Sequence, residues 1–214
     1  MSRLEVSSLE VPPRLIVNPH AGHKLGMLTN AATLDAVEQA LKEAGLNVLT
    51  VQTDRPKHAT ELARAAVQDG CKLVIAAGGD GTVAEAAEGL VNTDATLGIM
   101  PLGSIMNMAR TLCIPRDLNE AARTIAAGRV LAMDVGRVHD QLFLEAGGVG
   151  LTAGLFAYFN RLDSGHERPR SQRCGAAESA GVLRRAAWCL LTARAVMQAP
   201  PSESRVRPRP CAAA

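Results

Sequence analysis

Aromatic side chains are scarce in this chain of 214 residues, which holds three Phe, one Tyr and one Trp. Hydrophobic residues nevertheless make up 47% of the sequence, which excludes a disordered chain and implies a core of Leu, Val, Ile and Ala. Such a core is typical of proteins in which helices cover both faces of a β-sheet, because the buried strands are then built from branched aliphatic residues. The composition therefore favours the α/β class.

Cysteine pairs and long apolar runs are also missing. The five cysteines include no CxxC spacing and are odd in number, which argues against a disulfide framework and favours a reducing compartment. No stretch of about eighteen residues is free of charge, so no membrane-spanning helix is indicated. The first ten residues contain acidic side chains and no apolar run, which does not fit a signal peptide. We expect a cytoplasmic protein.

The two parts of the chain differ in charge. Residues 1–160 hold 13 Lys and Arg against 17 Asp and Glu, whereas residues 161–214 hold ten Arg against four acidic residues. A solvated basic tail is the favoured interpretation of this split. An anionic partner, such as a membrane surface, would be met by the tail and not by the body of the protein. We expect no nucleic-acid partner.

Strand-like apolar runs alternate with helical spacing over the first half of the chain. The order is strand Arg14–Val17, helix Asn30–Ala44, strand Asn47–Gln52, helix His58–Asp69, strand Lys72–Ala77, helix Val83–Leu90 and strand Thr96–Met100. Strands separated by single helices form right-handed crossovers and hence a mainly parallel sheet, whose ligand loops follow the carboxyl ends of the strands. We predict a Rossmann-like α/β domain over residues 14–128, with helices on both faces of the sheet.

The pattern changes near residue 128. Two further helices are predicted at Ile105–Leu112 and Asp117–Ala127, and they are followed by strands at Val130–Val138 and Gln141–Ala146. The two strands are close enough in sequence to form a hairpin. We therefore take residues 129–162 as the start of a second, β-rich domain that is incomplete in this chain.

The last fifty residues are poor in regular pattern. Residues 163–180 are rich in Arg, Ser and Gly, which is typical of a flexible link, and the Pro-containing residues 199–214 are expected to form a disordered tail. Between them, apolar positions recur at helical spacing with Arg on the other face. This pattern predicts an amphipathic helix over residues 181–198.

A glycine-rich loop, Gly78-Gly79-Asp80-Gly81-Thr82, follows an apolar strand and opens a helix. Glycines permit positive φ and close backbone approach, so amide hydrogens and the positive end of the helix can face phosphate oxygens. An aspartate beside phosphate groups would be repulsive unless it holds a cation or a water, so Asp80 is the predicted Mg²⁺ ligand, either directly or through water. Thr82 is expected to donate or accept through its hydroxyl and to cap the helix. A plain strand-to-helix turn is the alternative.

Five segments in order resemble the catalytic domain of the diacylglycerol kinase and sphingosine kinase family, in its bacterial lipid kinase branch. They are Asn18-Pro19-His20-Ala21-Gly22; Thr53 with His58-Ala59; Gly78–Thr82 with Glu85; Pro101-Leu102-Gly103-Ser104 with Asn107; and Asp134-Val135-Gly136. Two positions depart from the family pattern, because Ser104 replaces the usual Thr and Met108 stands where many members carry Asp. The resemblance covers about residues 14–160.

The resemblance implies an ATP-dependent lipid kinase that uses Mg²⁺ and acts on a lipid at a membrane surface. The protein would then be cytoplasmic, with peripheral contact at the inner membrane face left open, as is its oligomeric state. Asp80 and Glu85 are the implied catalytic residues and Asp80 the metal ligand, although Glu85 could equally be a helix salt-bridge partner. The implied nucleotide contacts are Asn18, Pro19, Gly22, Thr53, Gly78, Gly79, Gly81, Thr82, Gly103, Ser104 and Asn107.

Two alternatives remain open. Members of the family carry a late Asp-Gly turn that is thought to activate the lipid hydroxyl, and the sequence after residue 163 offers no such turn. This suggests a truncated or divergent end, and with it a nucleotide-binding remnant without transfer activity. A soluble-substrate kinase related to NAD kinase is the other alternative, which the segment from Thr53 to Ala59 disfavours.

Overall fold

The structure, a computed structural model, describes residues 2–21, 23–24, 27–28, 33–103, 105–138, 141–144 and 193–198. The strands are β1 (Ser2–Arg3), β2 (Arg14–Val17), β3 (His23–Lys24), β4 (Met27–Leu28), β5 (Leu49–Gln52), β6 (Leu73–Gly78), β7 (Thr96–Pro101), β8 (Arg129–Val138), β9 (Gln141–Phe143) and β10 (Ala193–Gln198). The helices are α1 (Leu34–Glu43), α2 (His58–Gln68), α3 (Asp80–Leu90), α4 (Asn107–Thr111) and α5 (Leu118–Ala126). A 3-10 turn at Val6–Ser8 lies between β1 and β2.

One sheet organises the described part of the chain. Its order is β1-β8-β10-β7-β6-β2-β5, with β9 paired to β8, while β3 and β4 form a separate two-stranded ribbon. Strands β5, β2, β6 and β7 are parallel to one another, and β10 continues that direction beside β7. The remaining pairs, β8 with β10, β1 and β9, are antiparallel. The predicted, mainly parallel Rossmann-like sheet is therefore confirmed.

The strand order creates a crevice between β2 and β6. From β2 the chain runs through α1 to β5 on one side, whereas from β6 it runs through α3 to β7 on the other side. The two connections diverge at this point, so the loops that follow β2 and β6 leave an opening between them. In open α/β sheets, ligands bind in such a crevice, outside the carboxyl ends of the strands.

Helices α1 and α5 begin at side chains that cap them. Thr33 caps α1 by accepting a hydrogen bond from the Ala36 amide at 3.3 Å, and Asp117 caps α5 through the Glu120 amide at 3.0 Å. After α5 the chain turns at Gly128, whose φ of +65° is a conformation that favours glycine. Its neighbour Leu4 donates a backbone hydrogen bond to the Gly128 carbonyl at 2.7 Å, which ties the start of the chain to the end of α5.

The core is aliphatic and lies between two helical layers. Every residue of β6 and β7 is buried, as the composition predicted for central strands covered on both faces. Helix α1 packs with α5, and α2 packs with α3. The second pair approaches closely: a Cβ on Gly89 would lie 2.6 Å from the Cβ of Ala63. Small residues at this contact let the two helices approach closely near the C-terminal end of α3.

The predicted amphipathic helix over residues 181–198 is wrong where the structure tests it. Residues 193–198 form strand β10, which pairs with β7 on one side and β8 on the other. A slot between two strands offers backbone partners along both of its edges, and this tertiary pairing overrides the helical spacing of the side chains. Residues 181–192, the predicted link 163–180 and the predicted tail 199–214 lie outside the described residues.

The predicted hairpin after residue 128 is confirmed, with a shorter second strand. Val138 of β8 is paired with Gln141 of β9, and β9 ends at Phe143. Strand β8 also joins the main sheet through β10, so no break in the sheet marks residue 129. The domain boundary at that residue stays a prediction. Among the helices of the described residues, none has the length and hydropathy needed to cross a membrane.

Candidate functional site

A side-chain hydrogen bond crosses the crevice between β2 and β6. Asn18 directly follows β2, and its backbone amide extends the strand by donating to the Ala77 carbonyl at 3.0 Å. Its side-chain Nδ2 donates to the hydroxyl oxygen of Thr82 at 3.1 Å, while its Oδ1 accepts from the His20 amide at 2.9 Å. The carboxamide thus has a partner at both ends. It fixes the loop after β2 against the first turn of α3.

Within the described residues, the first turn of α3 presents backbone amides that no hydrogen bond uses. The helix begins at Asp80, with Gly79 as its cap residue, and the first intrahelical bond is donated by Val83 to the Gly79 carbonyl at 3.1 Å. The amides of Asp80, Gly81 and Thr82 precede that bond and have no place in the helical ladder. Together with the positive end of the helix dipole they form an anion-binding arrangement at the mouth of the crevice.

Two details of this loop differ from the sequence prediction. Thr82 is the third residue of α3 and not its cap, and its hydroxyl is used by Asn18 instead. The glycines with positive φ are Gly45, Gly70 and Gly128, so among the described residues the loop glycines do not depend on that conformation.

Close approach explains Gly78 and Gly103 instead. A Cβ on Gly78 would lie 2.6 Å from the Cβ and the Oγ1 of Thr82. A Cβ on Gly103, in the loop after β7, would lie 2.7 Å from the Cα of Gly79. These positions lack side chains because another backbone or side chain occupies the space. A Cβ on Gly81, by contrast, would have no heavy atom within 4 Å.

Asp80 connects α3 to α4. Its Oδ1 accepts a hydrogen bond from the Met108 amide at 3.2 Å, in the first turn of α4. Sequence reasoning missed this contact, because a backbone amide donates regardless of the side chain it carries. The departure from the family pattern at Met108 therefore leaves a polar contact at that position. The other carboxylate oxygen, Oδ2, has no hydrogen-bond partner among the described residues, and so could accept a cation or water.

The loop between β7 and α4 is held at several points. The Leu102 amide donates to the Gly78 carbonyl at 3.1 Å, which continues the ladder between β6 and β7. Met106 is fully buried with φ 53° and ψ 56°, a left-handed conformation that is unusual for its type. Arg116 Nη2 donates to the Gly103 carbonyl at 3.0 Å. The arginine had no motif or spacing in the sequence that could have identified it.

The other predicted site residues fall at varied places. Thr53 lies beside Asn18, because its amide donates to the Val17 carbonyl at 2.9 Å. Pro19 is exposed in the turn after Asn18, and Asn107 is exposed as the first residue of α4. Gly22 and Ser104 lie outside the described residues.

Glu85 lies one turn further along α3 and is half-buried. Its carbonyl accepts from the Thr60 hydroxyl at 2.9 Å, which fixes α3 against α2. The nearby Arg64 approaches Glu88, at 3.8 Å, and not Glu85. Within the described residues the carboxylate of Glu85 therefore has no ion-pair partner, so the salt-bridge alternative gains no support there.

The carboxylates of the site fit a cation that takes some of its ligands from the protein and the others from a substrate. Nowhere in the described ranges do three or more His, Cys, Asp or Glu side chains group closely enough to hold a metal ion by themselves. Mg²⁺ is commonly held by one or two carboxylates and completed by phosphate oxygens and water. Asp80, placed beside the free amides of α3, suits that arrangement.

Comparisons with known proteins agree with this geometry. The family model described as the diacylglycerol kinase catalytic domain matches residues 12–138. A diacylglycerol kinase of Bacillus subtilis is 38% identical over 140 residues, which cover 64% of this chain and 45% of the relative. A diacylglycerol kinase of Staphylococcus saprophyticus is 32% identical over 139 residues, covering 63% of this chain and 44% of the relative.

Solved structures give the same result. The crystal structure of a diacylglycerol kinase from Bacillus anthracis matches with a TM-score of 0.53 and 31% identity, covering 62% of this chain and 45% of that one. The chain thus spans about half the length of the relatives it matches. Since the family model covers more than half of the residues and includes the loops after β2, β5, β6 and β7, this chain belongs to the diacylglycerol kinase catalytic-domain family.

Proposed function

We propose that the chain is an ATP-dependent lipid kinase that transfers the γ-phosphate to a hydroxyl of a diacylglycerol-like or sphingoid lipid. The observation that carries the proposal is the crevice between β2 and β6, where the Asn18–Thr82 hydrogen bond fixes the free amides of α3 opposite the loop after β2. Family membership supplies the reaction class, because the relatives that match are named diacylglycerol kinase.

Phosphoryl transfer requires a held phosphate chain, a counter-charge and an oriented hydroxyl, and little covalent chemistry from the protein. The amides of Asp80, Gly81 and Thr82 would hold phosphate oxygens, since the helical hydrogen bonds of α3 do not use them. The Asp80 carboxylate would hold Mg²⁺, which when bound neutralises charge on the phosphates. Glu85, half-buried one turn along α3, would support Asp80.

The nucleotide would be contacted from both sides of the crevice. Asn18, Pro19, Gly22 and Thr53 follow β2 and β5 on one side, and they would contact the part of the nucleotide that lies over these strands. On the other side Gly78 ends β6 and Gly79 caps α3, while Gly103, Ser104 and Asn107 follow β7. The tight contact between Gly79 and Gly103 keeps that wall close to the phosphate loop.

The proposed acceptor is a lipid at the inner face of the cytoplasmic membrane, approached by peripheral contact. The lipid hydroxyl must reach the phosphate held at α3, so the carboxyl edge of the sheet would face the membrane surface. A lipid acceptor is preferred over a soluble one because the named relatives are diacylglycerol kinases.

The test is the incubation of the purified chain with γ-labelled ATP, Mg²⁺ and vesicles that contain one acceptor at a time. Diacylglycerol and sphingosine represent the lipid acceptors, and NAD in solution represents the soluble alternative. We expect label in phosphatidic acid or in the sphingoid phosphate, and none in NAD phosphate. Label in NAD phosphate alone would refute the lipid assignment.

A second candidate is a nucleotide-binding unit without transfer activity. It is favoured by one observation: the described groups of the site account for holding phosphate and cation, and we assign no base for the acceptor hydroxyl among them. Calorimetry with ATP and Mg²⁺ separates the two candidates. Binding without transfer to any acceptor selects the second candidate, whereas binding with transfer selects the kinase.

A further inference from the structure

We propose that Arg116 is a positioning residue for the nucleotide site. Its guanidinium Nη2 donates to the carbonyl of Gly103 at 3.0 Å, across thirteen residues of sequence. This hydrogen bond holds the loop between β7 and α4 against the start of α3. It thereby positions the Met108 amide, which donates a hydrogen bond to Asp80. The inference rests on the proposed function, because it concerns how the same site is kept ready for ATP and Mg²⁺.

Gly103 is the point at which the arginine can act on the phosphate loop. The residue is buried, and a Cβ built on it would lie 2.7 Å from the Cα of Gly79 and 2.7 Å from the sulfur of Met106. Gly79 is the cap residue of α3. A hydrogen bond that fixes the Gly103 carbonyl therefore fixes a backbone that lies directly on the first turn of the phosphate-holding helix.

The same loop carries the connection to Asp80. After Gly103 the chain passes through Met106, whose φ of 53° is held by complete burial of its side chain, and enters α4. The second residue of that helix, Met108, donates its amide to Asp80 Oδ1 at 3.2 Å. A strained residue between the two contacts needs support on either side, and Arg116 supplies it at the Gly103 end.

The hydrogen bond from Arg116 to Gly103 is of a kind that contributes measurably to stability. A hydrogen bond from a charged donor is stronger than one between neutral groups, and the guanidinium makes no ion pair within the described residues. Arg116 therefore acts through the Gly103 carbonyl and not through a surface carboxylate. Loss of the donor would leave the buried carbonyl and the loop without this support.

The first experiment compares Arg116→Met with Arg116→Lys on the full chain, and uses Arg123→Met as the matched control. Arg123 is an exposed arginine of α5, and its side chain makes no hydrogen bond or ion pair within the described residues. We expect the dissociation constant for ATP with Mg²⁺, measured by calorimetry, to rise about tenfold in Arg116→Met. Arg116→Lys keeps a charged donor, so its dissociation constant should stay within about threefold of that of the parent. The dissociation constant of Arg123→Met should equal that of the parent.

A double-mutant cycle with Asp80→Asn tests whether Arg116 affects ATP binding through Asp80. If it does, Arg116→Met should weaken binding by less than about threefold once Asp80 has already been changed, because the two effects share one route. An equal loss in both backgrounds would overturn the proposed route. Equal affinity of parent and Arg116→Met would overturn the positioning role.

Hydrogen exchange on the nucleotide-free protein separates this proposal from the proposed function. We expect the Met108 amide to exchange faster in Arg116→Met, with unchanged exchange in the strands of the core. If the parent does not bind ATP, and the Met108 amide still exchanges faster in Arg116→Met than in the parent, the proposed function fails while Arg116 keeps its positioning role. If exchange at Met108 is unchanged, the positioning role is refuted whatever the chain binds.

Discussion

The substitution Gly103→Ala tests the packing of the site without changing any charge. A Cβ at this position would lie 2.7 Å from the Cα of Gly79 and 2.7 Å from the sulfur of Met106. The methionine sulfur can move because its side chain has several rotatable bonds, but the Cα of Gly79 belongs to the backbone that begins α3. The loop and the helix start must therefore separate by several tenths of an ångström.

The expected cost follows from that geometry. Overpacking of a well-packed core costs about 1–3 kcal/mol, and a backbone neighbour places Gly103→Ala in the upper part of this range, at about 2–3 kcal/mol. For a protein of this size, 1 kcal/mol corresponds to about 2–4 °C in melting temperature. We expect the midpoint of thermal unfolding to fall by about 5–10 °C, and ATP binding to weaken because the first turn of α3 is displaced.

Gly81→Ala is the matched control for stability. This glycine lies in the first turn of α3, and a Cβ on it would have no heavy atom within 4 Å. Alanine in a helix is favoured over glycine by about 0.5–1 kcal/mol, so Gly81→Ala should unfold at an equal or slightly higher temperature. If Gly103→Ala were as stable as the parent protein, or if the two variants were destabilised equally, the close contact between Gly79 and Gly103 would be refuted.

Three further predictions concern single contacts. Asn18→Ala removes the hydrogen bond to Thr82, and calorimetry should show ATP binding weakened about tenfold; unchanged affinity would exclude a role for this bond. Gly89→Ala places a Cβ 2.6 Å from that of Ala63 and should destabilise the protein to urea by about 1–3 kcal/mol; an unchanged midpoint would contradict the tight helix contact. Asp117→Ala removes the cap of α5 and should cost about 1 kcal/mol in the same assay, with unchanged ATP binding; a loss of binding would contradict a purely structural cap.

The α/β alternation could be predicted from the sequence because each buried strand is a short aliphatic run and each helix has its own end signals. Strands β6 and β7 and helix α5 were placed within one or two residues of their observed bounds. The loop Gly78–Thr82 could likewise be recognised, because its composition is local. These features depend on neighbours in sequence, which a pattern records.

The features that the sequence could not predict depend on partners that are distant along the chain. Strand β10 shows helical spacing in its sequence, and only the slot between β7 and β8 makes it a strand. The Asp80 contact uses a backbone amide, which leaves no trace in the residue type, and the Arg116 contact joins positions thirteen apart through space. Gly78 was recognised for the wrong reason, since close packing against Thr82 and not a positive φ requires it.

The most direct test of the proposed lipid kinase activity is a transfer assay. It measures label passed from γ-labelled ATP to diacylglycerol in vesicles, and it compares Asp80→Asn with Asp94→Asn. Asp80 lies in the first turn of α3 at the crevice, whereas Asp94 is exposed at the opposite end of the sheet, just before β7. Both variants remove one carboxylate charge. We predict transfer by the parent and by Asp94→Asn, and a loss of at least about a hundredfold in Asp80→Asn. Equal transfer by the two variants would contradict this prediction.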